Sequence, residues 1–142
     1  MITTCESFEI DTEGDSQILD ITGHVTRIVK SGLLQEGLAT IFVPGATASV
    51  STIEFEPGAV ADLKAAVERI APKDIPYRHD VRWGDGNGFS HVRAALLGPS
   101  LSIPVSEGQL MLGTWQQIVL LDHDNRPRNR RVLVQLLGRG AS

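Results

Sequence analysis

The sequence has a single cysteine, Cys5, which rules out an intramolecular disulfide and any CxxC pair for zinc or redox work. One lone thiol suits a reducing compartment. Basic charge is short as well: 13 Lys and Arg against 17 Asp and Glu leave a formal net charge of −4. A protein that neutralises nucleic-acid phosphates carries the opposite balance, so nucleic acid is not the expected partner. Long apolar runs are missing, and the strand-sized stretches present fall far short of the ~20 residues a membrane helix needs. The opening "MITTCESFEIDTEGD" has no basic segment followed by an apolar run, so it does not read as a signal peptide. The expected location is the cytoplasm, without membrane contact. Neither a P-loop nor a GxGxxG fingerprint occurs, which leaves those nucleotide-binding folds without support.

What is there is ordinary for a globular domain: 42% hydrophobic and 21% charged residues over 142 positions. A chain of this size buries roughly two thirds of its unfolded surface and carries its own core. One domain spanning 1–142 is expected.

"ITTCESFEID" alternates and reads as an opening strand. Thr22 is placed as the N-cap of a helix in which Val25, Ile28 and Val29 share one face before Gly32. "GLATIFVPG" and "ATASVSTIEFE" read as two strands separated by a Pro-Gly turn. In "AVADLKAAVERIA", Val60, Leu63, Val67 and Ile70 recur at helical spacing up to Pro72. Residues 73–87 are irregular and polar, and "FSHVRAALLG" is a short helix with Ser90 as a candidate cap. "LSIPV", "QLML", "WQQIVLLD" and "RVLVQLLG" then follow as antiparallel hairpins. The fold class is α+β: a mixed, largely antiparallel sheet core with a few helices on one side.

The chemistry concentrates in "DVRWGDGNGFSHVR", Asp80 to Arg93. His91 is a candidate metal ligand or general base, since a neutral imidazole offers a lone pair near pH 7. His79 lies one loop away with Asp80 and Asp85 between, so His79, His91 and Asp85 make a candidate first shell for a divalent ion. No HExxH-type spacing fixes that geometry. His24 and His123 read as surface residues, His123 flanked by Asp122 and Asp124 in a turn. Glu54 and Glu56 share a strand parity and therefore one face, with Glu54 the more notable. "GTWQ" offers Thr114, Trp115 and Gln116 for orienting a polar or planar ligand, against a core role for Trp115. Arg126, Arg128, Arg130 and Arg131 crowd one turn; they suit phosphate, but a solvated tip partnered by Asp122 and Asp124 is the plainer reading.

Three segments taken together, "FVPGATASVSTIEFEPG", "DGNGFSHVRAALLGPSLSIPV" and "GTWQQIVLLDHDNRPR…RVLVQLLG", resemble the YjbQ-like family from about Ile18 to Gly138. The resemblance implies a compact α+β fold built on a sandwich-like sheet, a homotrimer, and metal binding near subunit boundaries. It also implies a weak thiamine-phosphate synthase activity, in which a pyrimidine pyrophosphate is transferred to a thiazole phosphate. In that chemistry a divalent ion, magnesium or zinc, bridges phosphate oxygens. His91, Asp85 and Glu54 then fall in catalytic places, while Asn87, Thr114, Trp115, Gln116 and Arg93 bind the small phosphate ligand. A non-catalytic trimeric protein that binds metal or a small ligand uses the same residues. Two positions depart from the family pattern: Gly45 and Phe89 stand where many members carry histidines.

Overall fold

The computed structural model describes residues 1–141. Two antiparallel sheets enclose the main core. The larger has the order β1-β8-β3-β5-β6, formed by Ile2–Thr12, Arg128–Gly140, Leu34–Phe42, Ser100–Ser106 and Gln109–Leu110. The smaller has the order β2-β7-β4, formed by Gln17–Asp20, Gln117–Asp122 and Ala48–Ile53.

Helix α1 (Thr22–Ser31) packs one apolar face against this core and leaves Arg27 and Lys30 exposed on the other. Its Val25, Ile28 and Val29 join Ile41, Leu120, Val134 and Leu136 in the buried cluster between the sheets. Ile21, not Thr22, is the capping residue; Thr22 Oγ1 instead accepts the Ile118 N–H at 2.8 Å and ties the helix start to β7.

Strand β7 explains the second layer. Its pattern "QIVLLD" is buried at nearly every position, so both faces need cover. Ile118 and Leu120 face the main core, while Val119 and Leu121 face Val60 and Leu63 of α2 (Pro57–Ile70) and Leu97 of α4 (Gly88–Leu97). The helices flank the sheets, though not on one side as expected: α2 and α4 cover the outer face of the small sheet, and α1 packs its apolar face into the core between the two sheets.

Four local readings are corrected. The run β7–β8 is no hairpin, since β7 pairs with β2 and β4 while β8 pairs with β1 and β3. The intervening turn carries the chain from one sheet to the other. Glu54 and Glu56 lie beyond β4, which ends at Ile53, so strand parity does not relate them. Glu56 caps α2, its carboxylate accepting Gly58 N–H at 2.7 Å and Ala59 N–H at 2.8 Å. Ser90 does not cap α4; Asn87 is the boundary residue, and Ser90 Oγ donates to its carbonyl at 2.6 Å. Finally, the segment expected to be irregular contains helix α3 (Arg78–Trp83), closed by Gly84 in the left-handed conformation at φ 71°.

Candidate metal centre

Helices α3 and α4 meet at a sharp glycine-rich turn, and that meeting builds the site. A Cβ on Gly88 would stand 2.6 Å from Tyr77 Cβ and 3.0 Å from Asp80 Oδ1. Only a bare glycine lets its N–H reach Asp80 Oδ1 at 2.8 Å. This closure carries His79 on α3 and His91 on α4 to a ring separation of 4.5 Å.

Around His79 the donors converge. Its Nδ1 lies 3.3 Å from Asp80 Oδ1 and 3.4 Å from Asp85 Oδ1. One ligand atom from each of His79, Asp80 and Asp85 falls within 4.8 Å of the others. The Asn87 side chain faces Asp85 too: with its nitrogen turned that way it donates at 3.0 and 3.2 Å to the two carboxylate oxygens. His91 is oriented separately. Its Nδ1–H donates to the Ala46 carbonyl at 3.1 Å, which leaves Nε2 as the free lone pair.

The cluster is partly open. Asp85 is half-exposed and His79 about one-third exposed, so an ion held there keeps access to solvent or ligand. His91 also lines an apolar groove of about 230 Å³ with Gly45, Ala46, Ala48, Ala94 and Pro99. Gly45, one of the two departures from the family pattern, therefore borders the groove. The other, Phe89, is buried beneath the Arg93 guanidinium at 4.8 Å.

Several residues expected at the site lie elsewhere. Thr114, Trp115 and Gln116 form a turn before β7, where Gln116 Nε2 donates to Thr52 Oγ1 at 3.0 Å. Trp115 is 73% exposed and shares a second cleft with Glu54 and Phe55, so it is not core. That cleft adjoins the Ile53 end of β4 and the histidines adjoin the Ala48 end, roughly 16 Å away at about 3.3 Å per residue. Arg93 falls on a different face of α4 from His91 and is buried against Glu68. His24 is half-buried rather than surface, stacked on Phe8 at 4.3 Å.

The turn after β7 reverses another expectation. His123 is fully buried, with Nδ1 2.8 Å from Ser16 Oγ and Nε2 2.8 Å from Ser49 Oγ. Burial, reinforced by the charge of Arg93, pushes its pKa down to about 4, so the ring is neutral at physiological pH. Asp122 and Asp124 are also fully buried. Arg130 grips Asp122 bidentately at 2.7 and 3.0 Å, and Arg128 Nε reaches Asp124 at 2.8 Å. The aspartates are thus the partners expected of these arginines, but Arg130 is buried and only Arg126 and Arg131 are solvated. Burial opposes the charge on Asp122, yet Arg130, Thr12 and the Asp124 N–H outweigh it and hold the carboxyl below its ordinary range. This buried turn backs the His79 cluster: Asn125 Nδ2 donates to the Asp85 carbonyl at 2.9 Å.

With this geometry in view, the comparisons are direct. Residues 6–139 match the family described as UPF0047 protein YjbQ-like. The chain belongs to that family. A UPF0047 protein of Archaeoglobus fulgidus is 40% identical over 121 residues, covering 85% of this chain and 91% of the relative. One from Mycobacterium tuberculosis is 40% identical over 126 residues, covering 87% and 92%. Among solved structures, a hypothetical protein of Aeropyrum pernix superposes with a TM-score of 0.89 at 33% identity, covering 96% of this chain and 99% of its own. A Sulfolobus solfataricus structure, described as a YbjQ-like protein of unknown function, gives 0.88 at 29% identity, covering 96% and 99%. The YjbQ-like fold is therefore shared across these proteins, and the family's function is unknown. No helix among the described residues is long and apolar enough to cross a membrane.

Proposed function

We propose that this YjbQ-like chain is a metal-binding protein that presents a divalent ion to a small ligand in the adjoining groove. His79, Asp80, Asp85 and His91 hold the ion. The reading rests on one observation: His79 Nδ1 stands 3.3 and 3.4 Å from two carboxylates with the His91 ring 4.5 Å away. Two imidazoles and two carboxylates suit zinc or another first-row ion better than magnesium, which favours oxygen ligands alone. The ion supplies a Lewis acid for an oxygen of the ligand, and the apolar groove accepts its compact body. The test is elemental analysis of the purified protein, wild type beside His79→Ala and His91→Ala. A stoichiometric divalent ion lost in both variants supports the reading. A wild type that neither carries nor takes up an ion overturns it.

The synthase reading needs Glu54 and Trp115 beside Asp85, which one chain does not provide. In that reading a homotrimer supplies them, with one chain's Trp115 end set against another's histidine end. Exposed apolar side chains favour such contact: Val81 is 86% and Trp83 68% exposed next to the cluster, and Phe55 44% next to Trp115. Sedimentation of the wild type beside Val81→Glu tests it, since a monomeric wild type removes the catalytic reading altogether.

A further inference from the structure

A third cleft, of about 390 Å³, opens on the other side of α4 from the histidine groove. It lies between the turn entering β2 and helix α2, and Asp15, Ser16, Lys64, Glu68, Lys73 and Arg93 line it. Its volume falls within the range of small-molecule sites, and nothing in the metal reading uses it.

The floor is a built, buried polar chain. Arg93 is only 3% exposed, yet it carries a full charge. Its Nε donates to the Ala71 carbonyl at 2.9 Å, its Nη1 donates to Ser16 Oγ at 2.9 Å, and its Nη2 is paired with Glu68. Those bonds use one hydrogen on each guanidinium nitrogen, leaving one on Nη1 and one on Nη2. Ser16 is fixed from below by His123, which Ser49 holds in turn. Asp15 and Ser16 both adopt left-handed backbone conformations, at φ 57° and 56°, which non-glycine residues occupy only when their surroundings impose it.

At the rim the pairing is loose. Lys73 Nζ meets Asp15 Oδ1 at 2.5 Å, but the two side chains are 45% and 68% exposed, so water competes for both. Lys64 has no ion-pair partner among the described residues. Three cations against two carboxylates leave the lining one positive charge in excess (3 − 2 = +1), so a single negative charge balances it.

We propose that this cleft binds the carboxylate group of a small molecule between Lys64 and Lys73, above the Arg93 guanidinium. The ligand displaces Asp15 from Lys73, and Asp15 swings into solvent. Asp15 is therefore a built-in competitor, and this gives the proposal a signature of opposite signs.

The experiment is a titration with sodium acetate at constant ionic strength, on protein stripped of metal by a chelator that is then dialysed away, following the side-chain NMR signals of Lys73 and Arg93. Inorganic phosphate serves as the second probe. The chelator makes the outcome independent of the metal site. Saturable shifts with acetate are expected, tightened severalfold by Asp15→Asn and weakened at least tenfold by Lys73→Met. Glu9→Gln, which removes an exposed charge that does not line the cleft, is expected to leave the affinity as it is. Tighter binding of phosphate than of acetate overturns the assignment of a carboxylate. Linear, unsaturated shifts overturn the site altogether, as does a Glu9→Gln effect equal to that of Asp15→Asn.

Discussion

His123 is closed on every side, with each ring nitrogen 2.8 Å from a serine hydroxyl, whereas His79 stands one-third exposed, its Nδ1 more than 3 Å from two carboxylates. Both histidines neighbour aspartates in the sequence. The difference lies in what reaches them from elsewhere in the chain. Ser16, Ser49 and Arg130 converge on the Asp122–Asp124 turn from three separate regions and satisfy its polar groups, with Arg93 holding Ser16 in turn. Nothing comparable among the described residues closes over His79. Polar groups satisfied within the fold hold it together, and donors left half-satisfied at its surface are available to a ligand.

The largest effect expected from this contrast follows from Asp122→Asn. The substitution leaves Arg130 charged, buried and without its bidentate carboxylate, a situation that costs about 3–5 kcal/mol. Urea unfolding with an unchanged slope measures it. Asp85→Asn, at the open cluster, is expected to stay within roughly 0.5 kcal/mol under the same metal-free conditions. Equal losses in the two variants break the comparison.

The next effect is a pH dependence. An unfolded histidine takes up its proton near 6.5, and buried His123 does so only at about 4. Between those values the unfolded chain binds more protons, so acid favours unfolding. The stability carried by neutral His123 is complete above about pH 6.5, shrinks as the pH falls, and is gone below about 4; it is worth roughly 3 kcal/mol. Asp122 and Asp124, both held below the ordinary carboxylate range, are lost at still lower pH. In His123→Gln the slope of stability against pH between 6.5 and 4 should flatten. Parallel slopes for variant and wild type would show that another group senses the acid.

The same contrast explains what could be read from the sequence. Elements with a strong apolar period were legible: β1, α2 and the body of α4 fall close to their expected places. The His79, Asp85 and His91 grouping was legible too, because 13 positions of chain contain it and one glycine turn folds it. Helix α3 was not, since its apolar members Val81 and Trp83 point outward and set no periodicity. The burial of His123 was hidden for the opposite reason. "DHDNRPRNR" is polar in every local reading, and only partners far along the chain, such as Thr12 on Asp122 110 positions away, reveal that it is interior. Likewise "GTWQ" looks like part of the same pocket until β4 and β7 are seen to separate it from the histidines by their length.

The smallest effect on intrinsic stability, and the sharpest on ligand response, belongs to His79→Ala. Its removal empties no core and orphans no buried donor, so unfolding in EDTA should match the wild type within about 0.5 kcal/mol. An ion that binds only the folded chain stabilises it by about 2.7 kcal/mol when present at a hundred times its dissociation constant. Zinc titrated into the wild type to that excess should therefore raise the melting temperature by about 9 °C for a chain of this size, and chelator should reverse it. The variant should show no such rise. A zinc-induced rise retained in His79→Ala would place the ion elsewhere, for instance at the Glu54 end of the sheet. A wild type indifferent to zinc, cobalt and manganese alike would make the cluster a pair of surface ion pairs of the kind that contribute little to stability.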